Sequence, residues 1–194
     1  MAIKIGITGG IGSGKSKVMS YLENLGYAVY YSDKAGKKVM QKQEIIQQVQ
    51  AIFSDNVIVN NELDRKKIAE IVFNDKEKLN LLNAIVHPAV AKDFEEFVQE
   101  NKDKNIIFYE SAILIETSNH LKFDKVVLIT APLNIRIQRV MHRDNISEEV
   151  VKERMNNQLA DNEKAKYADF IIENVDFKKT KEKINKMLDV VKNK

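Results

Sequence analysis

Apolar residues along this chain come in short dense runs, separated by longer stretches in which they recur every three or four positions. The first run, residues 3–8 (IKIGIT), predicts a buried strand. Residues 15–25 read as a helix stopped at Gly26, a C-cap signal. Residues 27–31 (YAVYY) are aromatic-rich and predict a second strand. From 34 to about 104 the text turns polar and helical, with Ile68, Ile71 and Val72, then Leu79, Leu82, Ile85 and Val86, at helical spacing. Strand character returns at 105–110 (NIIFYE), 125–130 (KVVLIT) and 168–173 (ADFIIE). Pro132 opens a helix at its first turn, on which Leu133, Ile137, Val140 and Met141 form a stripe able to face a core. A last helix, 176–192, carries Phe177, Ile184, Leu188 and Val191 on one side. Five apolar strands separated by helices predict an α/β fold, a parallel sheet flanked by helices on both faces.

Composition narrows this picture mainly by exclusion. The 194 residues are enough for one domain that buries roughly 70% of its unfolded surface without covalent staples. There is no cysteine, so disulfides, thiolate metal sites and a cysteine nucleophile are absent. Three scattered histidines (His87, His120, His142) argue against a zinc site. Lys4 and the glycines interrupt any signal-peptide core, and no apolar run approaches a membrane span. No membrane partner and a cytoplasmic location are expected. The net charge of +3 comes from residues 164–194, with nine lysines against five acids, which leaves residues 1–163 at −1. That excess reads as a solvated helix face, and no nucleic-acid partner is expected. Nothing in the sequence specifies an oligomeric state.

All seven glycines precede residue 37, and four of them fall in ITGGIGSGKSK, residues 7–17. Gly9-x4-Gly14-Lys15-Ser16 fits G-x-x-x-x-G-K-[ST], between a strand and a helix as the motif requires. Successive amides of Gly9, Gly10, Ile11, Gly12, Ser13, Gly14, Lys15, Ser16 and Lys17 are then placed to curl around phosphate oxygens at a helix N-terminus. Lys15 is expected to reach the β- and γ-phosphates, and Ser16 to offer its hydroxyl to Mg²⁺. ATP with Mg²⁺ is the expected ligand.

A GTPase would carry Asn-Lys-x-Asp after a later strand, but APLNIRIQR follows KVVLIT. A small-molecule kinase needs an acid near the γ-phosphate, an insertion for the acceptor and arginines on a closing segment. Asp33 ends the second strand, at the sheet edge where ligands collect. It either takes the acceptor's proton or caps the following helix. Arg136, Arg139 and Arg143 share one stripe, as phosphate forks or as a solvated face. Residues 144–166, with Arg154, Gln158 and Lys164, have the polar helical composition of a lid.

An ordered series of further matches resembles the dephospho-coenzyme A kinases over nearly the whole chain. Asp33 is followed by LDRKKIAEIVF at 63–73, VHP at 86–88, ILIE at 113–116 and QRVMHRD at 138–144. RMNNQ at 154–158, Lys164 and ADFIIEN at 168–174 complete it. The resemblance implies a P-loop kinase with a core of five parallel strands (1–33, 105–143, 167–194), a helical acceptor-binding region (34–104) and a lid (144–166). It implies transfer of the γ-phosphate of ATP to the ribose 3′-hydroxyl of dephospho-coenzyme A. Catalytic roles then fall to Asp33 as general base, to Lys15 and to Arg139, while Arg143 frames the phosphates and Asn174 lies near the adenine. Arg65 and His87 would line the acceptor site; on the residues alone, His87 reads as a packed core histidine and Arg65 as a solvated helix start.

Five features depart from the family's pattern. Tyr31 stands where a second aspartate is frequent, and Lys17 where threonine is common. Glu110 and Ala112 replace the aspartate and proline of D-x-P-L-L, leaving Glu110 to orient a Mg²⁺-bound water. No glycine closely follows Asn174. The alternatives are another P-loop kinase, for a nucleoside monophosphate or a sugar acid, and a non-catalytic ATP-binding sensor.

Overall fold

β-branched and aromatic residues form the strands, and runs of three- and four-residue spacing form the helices, in the computed structural model, which describes residues 2–193. In chain order the elements begin with β1 (Ile3–Thr8), α1 (Lys15–Asn24), β2 (Ala28–Tyr31), α2 (Ser32–Val39) and α3 (Gln43–Gln50). They continue with β3 (Ile58–Val59), β4 (Glu62–Leu63), α4 (Arg65–Asn74), α5 (Lys76–Glu100) and β5 (Ile106–Glu110). After a 3₁₀ turn at Asn119–Lys122 come β6 (Lys125–Thr130), α6 (Leu133–Asp144) and α7 (Glu148–Asn156). The chain closes with α8 (Asp161–Ala165), β7 (Phe170–Glu173) and α9 (Phe177–Lys192). These elements form two compact units, one of residues up to Tyr30 and from Asn101 on, the other of Tyr31–Glu100.

The first unit is built on a five-stranded parallel sheet in the order β2-β5-β1-β6-β7. Ile3 of β1 pairs with Ile106 of β5 and Ile7 with Glu110, while on the other side Ile5 pairs with Lys125 and Thr8 with Leu128 of β6. Every residue of β5 is buried, as a strand covered on both faces requires. At α1 the C-terminus is the one that Gly26 predicted: its φ of 85° lets its N–H return to the Glu23 carbonyl at 2.9 Å. α9 buries Ile184, Met187, Leu188 and Val191. On α6 the expected stripe is narrower than predicted. Ile137 and Val140 are buried, but Leu133, at the first turn beyond Pro132, is exposed.

The second unit has its own apolar core of Ile45, Ile46, Val49, Phe53, Val57, Leu63 and Ile68. Here the structure corrects one expectation. The 34–104 region is not wholly helical, because β3 and β4 pair as an antiparallel hairpin, Ile58 against Leu63. Asn60 and Asn61 turn it with φ of 52° and 64°, a left-handed geometry that asparagine tolerates better than most residues. Pro88 lies inside α5, which runs through it for 25 residues. A buried Val90 and Asp93 anchor that helix beyond the proline, and Lys38 of α2 bonds Asp93 at 3.0 Å. Packing thus holds a helix that the proline alone would break. Among the described residues no helix is long and apolar enough to cross a membrane.

Candidate active site

The turn from β1 into α1 is shaped by what its backbone must approach. Gly12 has φ of 80°, and a Cβ there would meet the Arg136 carbonyl oxygen at 2.5 Å. Gly14, the N-cap of α1, has φ of 90°, and its Cβ would collide with the Asn174 side chain. Both positions need a left-handed backbone and leave no room for a side chain, which is why glycine stands at each.

Lys15 is buried at the start of α1, and its ammonium donates to the Gly9 carbonyl oxygen at 2.7 Å and reaches that of Gly10 at 3.4 Å. Its charge is therefore held at the mouth of the loop. The hydroxyl of Ser13 is buried without a hydrogen-bond partner among the described residues. A buried polar atom left unpaired is costly, so this hydroxyl is matched to a polar ligand. Ser16 lies exposed on the first turn of α1. Glu110 is buried at the end of β5, opposite Ile7, one strand away from the loop's first residues. Loop, ammonium, orphan hydroxyl and helix N-terminus together fit the phosphates of a nucleotide. No cluster of three or more histidine, aspartate or glutamate side chains suited to a metal occurs among the described residues.

The arginines of α6 separate in role. Arg136 Nε donates to the Ile11 carbonyl at 2.9 Å, and its Nη1 pairs with Asp161 at 3.1 Å. Arg139 bonds the carbonyls of Asn174 at 2.9 Å and Gly12 at 3.4 Å. Arg143 is not brought to the loop. It pairs with Asp144 at 2.7 Å, and Arg154 reaches the same carboxylate at 2.9 Å. The two guanidiniums, Arg143 foremost, hold the Asp144 carboxyl below its ordinary range. Seven residues of helix advance about 10 Å, so the stripe that begins at Arg136 has left the loop by Arg143.

Asn174 is buried, and its side chain donates to the Ser13 carbonyl at 2.8 Å and accepts from the Thr180 hydroxyl at 3.1 Å. Lys17 is exposed, with its ammonium 4.3 Å from the centre of the Phe177 ring, toward α9. Sequence reasoning missed Arg136 and Gln158 as loop contacts. The one available signal was Arg136's place three residues before Arg139.

In the second unit, Asp33 is the second residue of α2, and the N-cap position belongs to Tyr31. Its carboxylate is exposed, and no described residue pairs with it. The capping alternative therefore falls away. Arg65 is exposed at the first turn of α4, behind the cap that Asp64 makes to the N–H groups of Lys66 and Lys67 at 3.1 Å. His87 is exposed on α5, which corrects the expectation of a core histidine.

A parallel sheet of this order, with a glycine-rich turn leading into α1 and a lysine at its mouth, defines a P-loop kinase-like fold. Residues 3–179 match the family model described as dephospho-CoA kinase. A dephospho-CoA kinase of Fusobacterium nucleatum is 37% identical over 171 residues, covering 88% of each chain. One of Bacteroides fragilis is 39% identical over 175 residues, 90% of this chain and 85% of that one. The chain belongs to the dephospho-CoA kinase family. Among solved structures, the Thermus thermophilus protein TT1252 superposes with a TM-score of 0.88 at 34% identity, covering 96% of both chains. The dephospho-CoA kinase from Campylobacter jejuni gives 0.73 at 27% identity and 98% coverage of both. A shikimate kinase from Acinetobacter baumannii, at 0.51 and 14% identity over 100% of this chain and 96% of that one, shares the fold alone.

Proposed function

We propose that this chain transfers the γ-phosphoryl group of ATP to the ribose 3′-hydroxyl of dephospho-coenzyme A, giving ADP and coenzyme A. Family membership supports the reaction, and one observation carries the mechanism. Asp33 is an exposed carboxylate that no described residue neutralises, two positions after β2. A base must be free to accept a proton, and a carboxylate already spent on a cap or an ion pair is not.

The phosphate loop and the N-terminus of α1 bind the β- and γ-phosphates, and Lys15 balances their charge. Asp33 takes the proton of the 3′-hydroxyl as that oxygen forms its bond to phosphorus. The bond from phosphorus to the β-phosphate oxygen breaks, and ADP carries that electron pair away. Ser16 and Glu110 are the residues that would hold a nucleotide-bound Mg²⁺ or its water, and the ion would supply charge neutralisation at the phosphates. Arg139, through the carbonyls of Gly12 and Asn174, sets the loop's shape. Arg65 and His87, exposed in the second unit, are assigned to the acceptor. Residues 144–166 exclude water during transfer. The adenine assignment of Asn174 gives way, in this reading, to support of the loop, since both ends of its amide are already bonded. The reaction is placed in the cytoplasm. Comparing acceptors under Mg·ATP tests the proposal.

A further inference from the structure

One residue of the phosphate loop is held on every side by the chain between 133 and 161. The side chain of Ile11 packs against the cluster of Ile137, Val140 and Val151, together with Met155. Its carbonyl oxygen accepts from Arg136 Nε at 2.9 Å, and its N–H donates to Gln158 Oε1 at 2.8 Å. These two bonds belong to different peptide units, the one before Ile11 and the one after it. Both of its neighbours, Gly10 and Gly12, are glycines, so the backbone itself does little to stop either peptide plane from rotating. Within the loop the Gly10–Ile11 peptide is held only at its carbonyl, by the Ser13 N–H at 3.1 Å and Lys15 Nζ at 3.4 Å. The hold on its N–H side comes from outside, from Gln158.

Arg136 is fixed by its pairing with Asp161. Gln158 is fixed through its neighbour, because the Leu159 N–H donates to Glu116 at 3.0 Å. Glu116 in turn pairs at 2.8 Å with Lys164, which is fully buried. Gln158 thus reaches the loop from an anchored stretch of backbone.

We propose that Gln158 is a positioning residue for nucleotide binding, pinning the Gly10–Ile11 peptide so that the amides after it stay turned toward the phosphates. The inference deepens the proposed function and rests on it for the identity of the nucleotide. The contact itself can be tested without turnover.

Gln158→Met keeps the length of the side chain and removes the acceptor oxygen. Gln158→Asn keeps the amide but shortens its reach, and Gln158→Glu keeps an acceptor at the same place. In the nucleotide-free protein, hydrogen exchange at the Ile11 amide should quicken by about tenfold in the Met and Asn variants and stay slow in the Glu variant. The ATP dissociation constant by calorimetry and the KM for ATP should each rise roughly 3- to 10-fold in the Met and Asn variants. The KM for dephospho-coenzyme A should not move. Unchanged Ile11 exchange in the folded Met and Asn variants, or unchanged ATP affinity in both, overturns the assignment. If the acceptor proves to be a different alcohol while the exchange and ATP affinity respond as stated, the proposed function fails and the role of Gln158 stands.

Discussion

The side-chain amide of Asn174, just beyond β7, donates a 2.8 Å hydrogen bond to the carbonyl oxygen of Ser13 in the phosphate loop. The contact joins two parts of the chain 161 residues apart. The Asn174 oxygen accepts from Thr180 on α9, and its backbone carbonyl takes Arg139 from α6. The loop is therefore fastened to the far side of the sheet as well as to its own strand and helix.

Asn174→Leu should remove this fastening while keeping similar bulk. It leaves the Ser13 carbonyl and the Thr180 hydroxyl each without that partner, so stability should fall by about 1–3 kcal/mol. The KM for ATP should rise with it. Urea unfolding and steady-state kinetics check both, and an ATP affinity equal to that of the unsubstituted protein would remove Asn174 from the loop's support.

Asp33→Asn keeps the size of the side chain and abolishes its basicity. The kcat should fall by roughly 10²–10⁴, with ATP affinity changed little because the phosphate loop is intact. Turnover near the original rate would deny Asp33 its role as base.

Lys164 donates to the Ala112 carbonyl at 2.9 Å and pairs with Glu116. Lys164→Met should cost about 3 kcal/mol, since it strands a largely buried carboxylate. Adding Glu116→Gln should recover part of the loss. Denaturant unfolding of the single and double variants decides this; equal stability of the two would mean that Glu116 is not charged or not desolvated.

Asp169 supplies a pH dependence. Burial pushes its carboxyl up, but bonds from Lys125 at 2.6 Å and from the Val126 N–H at 2.8 Å outweigh it and hold the group below its ordinary value. A lowered folded-state value adds stability above the unfolded pKa, about 3.9, and that stability is lost as pH falls through the folded value. The carboxylate is partly exposed, so the effect should stay under about 1 kcal/mol. Asp169→Asn should be less stable than the parent at pH 7, with the gap closing below about pH 4. A gap that persists unchanged to pH 3.5 would assign the effect to packing.

The sheet was legible in the sequence because each strand is a short apolar run and each neighbouring helix keeps its own period. The phosphate loop was legible because its glycines answer to local geometry. What escaped depends on partners far along the chain. No periodicity marks Asn174 as the support of Ser13, or Gln158 as the holder of Ile11. The β3–β4 hairpin is too short to leave an alternating pattern, and its signal was only the Asn60–Asn61 pair. At Pro88 the local preference for a break is overridden by packing around the buried Val90 and Asp93, and α5 continues. Arg143 shows the limit of stripe arguments: it shares a helix face with Arg136 and Arg139 yet pairs with Asp144, away from the loop.

The central claim is the choice of acceptor, and the most direct measurement is ADP release under Mg·ATP with dephospho-coenzyme A, AMP, CMP, dTMP, gluconate and shikimate in parallel. Turnover with dephospho-coenzyme A should exceed that with every other acceptor by at least about 100-fold in kcat/KM, with the new phosphate found on the ribose 3′-oxygen. Comparable turnover of another acceptor, or ATP binding with no ADP release under any of them, would contradict the account.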